Sequence, residues 1–193
     1  MFANRLSLEE LTETAVPLPA LGPTVRTIDP VHALAIACIH RVAHQHGHER
    51  LIWLYDIHLL AGALRATEVE RFLRIARDRS ISSVCEQGLT NACERFGTAL
   101  PEGLMEGLHQ HVARRGQDPT AVYLRSHLRK VDVLLSDLRA LPTWRPRLTL
   151  LREHVFPPAD FMQQSYRRSP RAFLPALYAW RFIEGAGGWF KKR

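Results

Sequence analysis

Apolar positions along this chain recur at helical spacing from residue 30 onward, and no stretch alternates as a strand would. Leu34, Ala37, Cys38 and the segment 40–43 give a wide apolar face to a helix expected over 30–46. Asp29-Pro30 opens it: the Asp carboxylate caps free amides, and Pro at the first helical position loses no hydrogen bond. Gly47 marks its end or a break. A second helix, about 49–65, is apolar on nearly every side, as expected of a central helix. Thr67-Glu-Val-Glu70 has the spacing of a capping box and starts a third, with Val69, Phe72, Leu73, Ile75 and Ala76 inward.

Further helices are expected over 82–96, stopped by Gly97, and over 101–115, stopped by Gly116. Asp118-Pro119 repeats the opening dipeptide and predicts a long sixth helix to about 141, with Leu124, Leu128, Val131, Leu135 and Leu138 on one side. Helices over 145–155, a short one through Tyr166 and a last one over 170–184 follow, with Phe173, Leu177 and Trp180 assigned to the core. Before residue 28 the prolines around Leu21-Gly-Pro23 exclude a helix and suit a short hairpin or extended arm, preceded by a short helix over 5–13. The expectation is an all-α fold: a compact multi-helix domain with one core over 29–193 and an N-terminal arm over 1–28.

Composition adds little to that picture, but charge adds something. At 193 residues and 46% hydrophobic, the chain can bury a substantial core. No window approaches a transmembrane helix, and the first ten residues lack the apolar segment of a signal peptide, so a soluble, cytoplasmic protein is expected. Cys38, Cys85 and Cys93 form no framework, which favours a reducing compartment; Cys38 reads as a small buried hydrophobe, while Cys85 and Cys93 are placed to approach a partner thiol. The net charge of +7 lies in residues 141–193, where ten Arg or Lys stand against three acids. Arg145, Arg147, Arg152, Arg167 and Arg168 are the candidate contacts for an anionic partner there, and Trp144 among them adds the stacking that suits nucleic acid. A solvated rim is the plainer reading of the same residues.

The most specific segment is 50–61, in which Asp56 interrupts an apolar run just after His40, His44, His46 and His48. A carboxylate carried into a core needs a donor. His40, His44, Arg50 and Asp56 are therefore expected to form a structural polar cluster with no catalytic role. Two alternatives use the same segment. His40 and His44, one turn apart, with Asp56 would make a metal site of a hydrolase or nuclease, and Arg41 with His46 has the spacing of a helical ribonuclease motif. His109 and His111, two apart, diverge on a helix and make no pair. No phosphate-cradling glycine loop, nucleophile elbow or strand with paired acids occurs, and no cofactor is expected.

Val25-Arg-Thr-Ile-Asp-Pro-Val-His-Ala-Leu34, Ala37-Cys-Ile-His40 and Arg50-Leu-Ile-Trp-Leu-Tyr-Asp-Ile-His-Leu-Leu60 resemble the C-terminal half of the uncharacterised nucleotidyltransferase-like family. Leu151 to Tyr166 is similar to that family's Pro-containing stretch before its last helix. The resemblance runs through nearly the whole chain and is marked by His40, His44, Arg50, Trp53 and Asp56. It implies a catalytic N-terminal half whose paired acids bind magnesium and nucleotide, and this sequence departs from the pattern there, because that half is missing. The chain is then expected to be non-catalytic, binding a substrate or a protein partner that carries a nucleotidyltransferase-like domain. The basic 141–193 region is the expected contact surface, and self-association is a further option.

Overall fold

The computed structural model describes residues 5–43, 50–115, 118–124, 130–141, 143–165 and 174–189. Among the described residues it is all-α apart from one hairpin of two two-residue strands. Helix α1 (Leu8–Glu13), β1 (Val16–Pro17) and β2 (Arg26–Thr27) form the arm. Then come α2 (Pro30–Ala43), α3 (Leu51–Gly62), α4 (Ala66–Asp78), α5 (Ser82–Phe96) and α6 (Leu104–Arg115). A 3-10 segment, Pro119–Leu124, precedes α7 (Lys130–Ala140), α8 (Trp144–Val155), α9 (Ala159–Ser165) and α10 (Leu174–Trp189).

The chain divides into two compact units, residues 2–126 and 127–193, where a single core over 29–193 was expected. The division falls where the long sixth helix was predicted. Asp118 does cap the chain there, accepting from Thr120 N at 3.0 Å, but the turn it starts is 3-10, over Pro119–Leu124, and the next described α-helix is Lys130–Ala140. Its other carboxylate oxygen accepts from Ser83 N at 2.8 Å, so Asp118 also satisfies a free amide at the start of α5. The same dipeptide thus serves as a tie between segments.

In the first unit α2, α3 and α5 pack on one another, with α4 and α6 joining from the side of α2 and α5. Leu34, Cys38, Leu54, Ile57, Val84 and Leu89 are fully buried among them. The arm closes as a hairpin, Val16 opposite Thr27 and Pro17 opposite Arg26. Helix α4 starts at Ala66, one residue before the predicted Thr67 cap. Glu68 reaches back to accept from Arg65 N at 2.9 Å, half of a capping box with the register shifted. Helix α5 matches its predicted span and ends at Gly97, whose φ of +62° lets its N–H reach Cys93 O at 2.9 Å.

In the second unit α10 packs on α7 and α9, with Met162 and Leu134 buried. Tyr178 Oη donates to Pro157 O at 2.6 Å, pinning α10 to the Pro-rich turn. The last helix runs on through the glycines to Trp189, because Gly within a helix weakens it by only about 1 kcal/mol per residue. Trp180 is 55% exposed and so is not the core residue expected. Phe173, Tyr166, Gly47 and Gly116 lie outside the described residues.

Glycine sets one close approach. A Cβ on Gly107 of α6 would stand 2.4 Å from Cδ1 and 2.9 Å from Cδ2 of Leu73 on α4. Gly107→Ala is expected to destabilise by about 1–3 kcal/mol through overpacking, measured by urea unfolding. In a Leu73→Ala background the same change should become neutral or stabilising, since Ala is favoured in a helix by about 1 kcal/mol. An equal cost in both backgrounds would refute the contact.

Candidate functional site

Three groups of polar or exposed residues bear on function. The first is buried. Asp29 and His32 are each 2% exposed at the start of α2. The Asp29 carboxylate accepts from Val31 N at 3.0 Å, and it meets His32 Nδ1 in a short contact. Arg71 of α4 grips it at two points, Nη1 to Oδ1 and Nη2 to Oδ2, both 3.1 Å. On the other side of the ring, His32 Nε2 lies 3.3 Å from Glu10 of α1. Glu10 also accepts from Arg79 Nη2 at 2.8 Å, and Arg5 donates to Arg79 O at 2.9 Å. Two carboxylates, one imidazole and three guanidinium groups therefore lock α1 and the arm onto α2 and α4.

Burial pulls the Asp29 carboxyl pKa upward, but hydrogen bonds from His32 and Thr14 and the charges of His32 and Arg71 outweigh it. The result lies below the ordinary value. At Glu10 the same contest, against Arg79 and His32, also ends below the ordinary value. Each partner in this group is engaged and Asp29 and His32 are closed to solvent, so its role is architectural. Sequence reasoning identified the Asp29 cap and missed His32, whose signal is the i, i+3 spacing from a capping acid.

The second group surrounds α3. Asp56 is solvent-exposed, so the premise of a carboxylate held between two apolar helices is corrected. The reason lies in the helix itself: being apolar all round, it gives no phase from which the buried side can be read. Leu54, Ile57 and Ala61 form its buried side. Arg50 and His40 do come together, but at Trp53: the guanidinium lies 5.4 Å from the indole centroid, and the imidazole packs edge-on at 5.7 Å. The expected cluster of His40, His44, Arg50 and Asp56 is thus replaced, in its described members, by an aromatic junction with Asp56 left at the surface. His44, His46 and His48 lie outside the described residues. Among the described residues no three His, Cys, Asp or Glu side chains are grouped to hold a metal ion. Arg41, the proposed phosphate clamp, is 1% exposed and donates to Gln87 Oε1 at 2.8 Å.

With its inner side assigned, α3 leaves an apolar outer side. Leu51, Ile52, Tyr55 and Leu59 are 62%, 59%, 45% and 51% exposed. Ile52, Tyr55, Leu59 and Gly62 follow one another at intervals of 3, 4 and 3 residues, the seam that a helix presents to another helix. Asp56 flanks that seam. Tyr55 is held in place by Phe96 at 5.6 Å and His58 at 5.7 Å, and His58 is fixed in turn by Thr98, with Nδ1 2.9 Å from its Oγ1.

The third group is the basic region. Arg145 is exposed and lies 5.7 Å from the Trp144 ring centroid, and Arg152 is exposed on the same helix. Arg147 donates from Nε and Nη2 to Leu141 O at 3.0 and 2.7 Å, so it is committed to its own chain. Arg167 and Arg168 lie outside the described residues. Cys85 meets the thiol of Cys38 in the core, where both are free and buried. That contact, then burial, hold its thiol well above its ordinary pKa, and burial does the same for Cys93, so both stay protonated. Among the described residues no helix is long and apolar enough to cross a membrane.

Comparison with known proteins returned no matching family model, no matching curated protein and no matching solved structure.

Acid stability reports on the first group. Both carboxyl pKa values are lower in the folded chain, so the unfolded chain takes up protons first as pH falls. Their stabilisation is complete above about pH 5 and drains away through and below about pH 4. Asp29→Ala is expected to cost about 3–5 kcal/mol at pH 7 by leaving Arg71 and His32 without their buried partner. Urea unfolding across pH 3–7 checks both. The loss should shrink toward the acid end, and a pH-independent loss would contradict the ion-pair account.

Proposed function

We propose that this chain is a non-catalytic helical binding domain that receives an amphipathic helix from a protein partner on the outer side of α3. The observation that carries the reading is that α3 is apolar on two sides and buries only one. An exposed apolar patch of this kind marks an interaction site when its members are contiguous. The 3-4-3 spacing of Ile52, Tyr55, Leu59 and Gly62 fits a helix as occupant, since a partner helix meets residues at that rhythm and Gly62 allows close approach. Tyr55, fixed beforehand by Phe96 and His58, has the character of an anchor: a rigid aromatic loses little freedom on binding.

Asp56 supplies the partner's polarity. It lies beside the seam and near its midpoint, where an antiparallel pairing of two copies would set Asp56 against Asp56. A partner helix with Lys or Arg next to its apolar stripe meets it favourably instead. The family resemblance suggests a carrier for that helix, namely a separately encoded nucleotidyltransferase-like chain. The basic region contributes less to this reading, because Arg147 is spent within the chain and Arg145 covers Trp144.

The test uses two 21-residue peptides with leucine at heptad positions a and d, one with lysine at e and g and one with glutamate there. Calorimetric titration of the 193-residue protein should show saturable binding of the lysine peptide and at least tenfold weaker binding of the glutamate peptide. Ile52→Asp/Leu59→Asp should abolish binding without loss of folded signal by circular dichroism, and Asp56→Ala should erase the preference between peptides. Absence of binding by either peptide overturns the reading, as does binding that survives the double substitution. Self-association on sedimentation that disappears in the double variant would assign the face to a second copy and overturn it as well.

A further inference from the structure

A pocket of about 430 Å³ opens at the first unit between α5, α6 and the 3-10 segment. Helix α5 supplies its polar wall through Ser83, Glu86, Gln87 and Thr90, which share one face by their spacing of 3, 4 and 7 residues. Val112, Ala121 and Leu124 supply the apolar wall. The volume falls within the range of small-molecule sites, and an apolar lining with a few convergent polar groups is their usual make-up.

Two details separate this pocket from a packing gap. Ser83 is 4% exposed, and its Oγ is a buried polar atom with no hydrogen-bond partner. A hydroxyl left so costs stability, about 1–3 kcal/mol, which a ligand would recover by bonding to it. Among the described residues of the lining, Glu86 is the only ionisable one. It already has a hydrogen-bond partner in the chain: His109 Nδ1, on a side chain 69% exposed, is 2.5 Å from Glu86 Oε1. That histidine sits where it can leave without unpacking anything.

We infer that the pocket binds a small primary amine with a short apolar body, the ammonium on Glu86 in place of His109 and the body against Val112, Ala121 and Leu124. An ammonium brings three N–H donors. Glu86 accepts one in a charge-assisted bond. The hydroxyl oxygen of Ser83 accepts another. The third stays with water at the open mouth, since Thr90, whose hydroxyl donates to Glu86 O at 2.9 Å, stands two turns along α5 from Ser83 and lines the far end of the pocket. Gln87 is held still by the buried Arg41 and serves as a rigid side of the site. An anion of the same shape meets the Glu86 carboxylate with like charge and is refused.

The experiment titrates the 193-residue protein with 2-phenylethylamine, 2-phenylethanol and phenylacetate, followed by calorimetry and by the shift of the unfolding temperature. The amine should bind saturably and at least tenfold more tightly than the alcohol, with no binding of the acid. Glu86→Gln should remove the preference for amine over alcohol. His109→Ala, an exposed change that leaves the fold intact, should tighten amine binding by removing the side chain that competes for Glu86. Val112→Trp should block all three by filling the pocket from its rim. The proposal is overturned if the amine fails to bind, if the acid binds as well as the amine, or if Glu86→Gln leaves the amine preference unchanged.

Discussion

The first unit is organised by one carboxylate. Asp29 caps the start of α2, takes a two-point grip from Arg71 of α4, and meets His32, whose far nitrogen faces Glu10 of α1. Each of these contacts alone is modest, because taking charges out of water offsets most of the attraction between them. Their joint effect is on geometry. With Asp29 fixed, α2 has a defined first turn, α4 has a defined crossing against it, and the arm has a place to dock. An apolar residue of similar size at position 29 would fill the space and still leave Arg71 and His32 without their partner.

That lock has a consequence for α3. Helices α2 and α5 cover its inner side, and the arm and α4 are committed to α2. Nothing in the described first unit is left to cover Ile52, Tyr55 and Leu59. The aromatic contacts at either end of α3 reinforce this: Trp53 packs with His40 and Arg50, while Tyr55 packs with His58 and Phe96. Both orient large rings without burying the strip between them. Among the described residues α3 is apolar all round and stays half exposed, and on this the proposed docking of a partner helix rests.

Much of the helical pattern could be read from the residues, because caps and breakers are local. Asp29-Pro30 and Gly97 act where their chemistry says they should. Asp118-Pro119 shows the limit of such reading. Its cap is real, but the carboxylate also serves Ser83, 35 residues away, and the turn it starts is 3-10 in place of the expected long helix. The candidate site was less legible. Asp56 looked buried because its neighbours are apolar, yet a run with no hydrophobic phase carries no information on which side faces in. His32 went unnoticed because it belongs to a tertiary cluster whose other members, Glu10, Arg71 and Arg79, stand 22, 39 and 47 residues away.

Among the described residues, the groups whose acidity is shifted are committed to the fold. Reaction sites leave reactive side chains aimed into a cleft, with pKa values tuned toward the working pH. Here the tuned carboxyls, Asp29 and Glu10, move away from neutrality and are fully engaged with cations. The buried thiol of Cys85 moves upward, toward inertness. What the described first unit offers to other molecules is of another kind: an apolar strip with an anchored tyrosine, and a pocket with one carboxylate and one unbonded hydroxyl. On the proposed reading the strip would recognise by shape and burial, the pocket by charge and hydrogen bonds. Helix α5 connects them, since Phe96 at its C-terminal end steadies Tyr55 and its first two turns form the polar wall of the pocket.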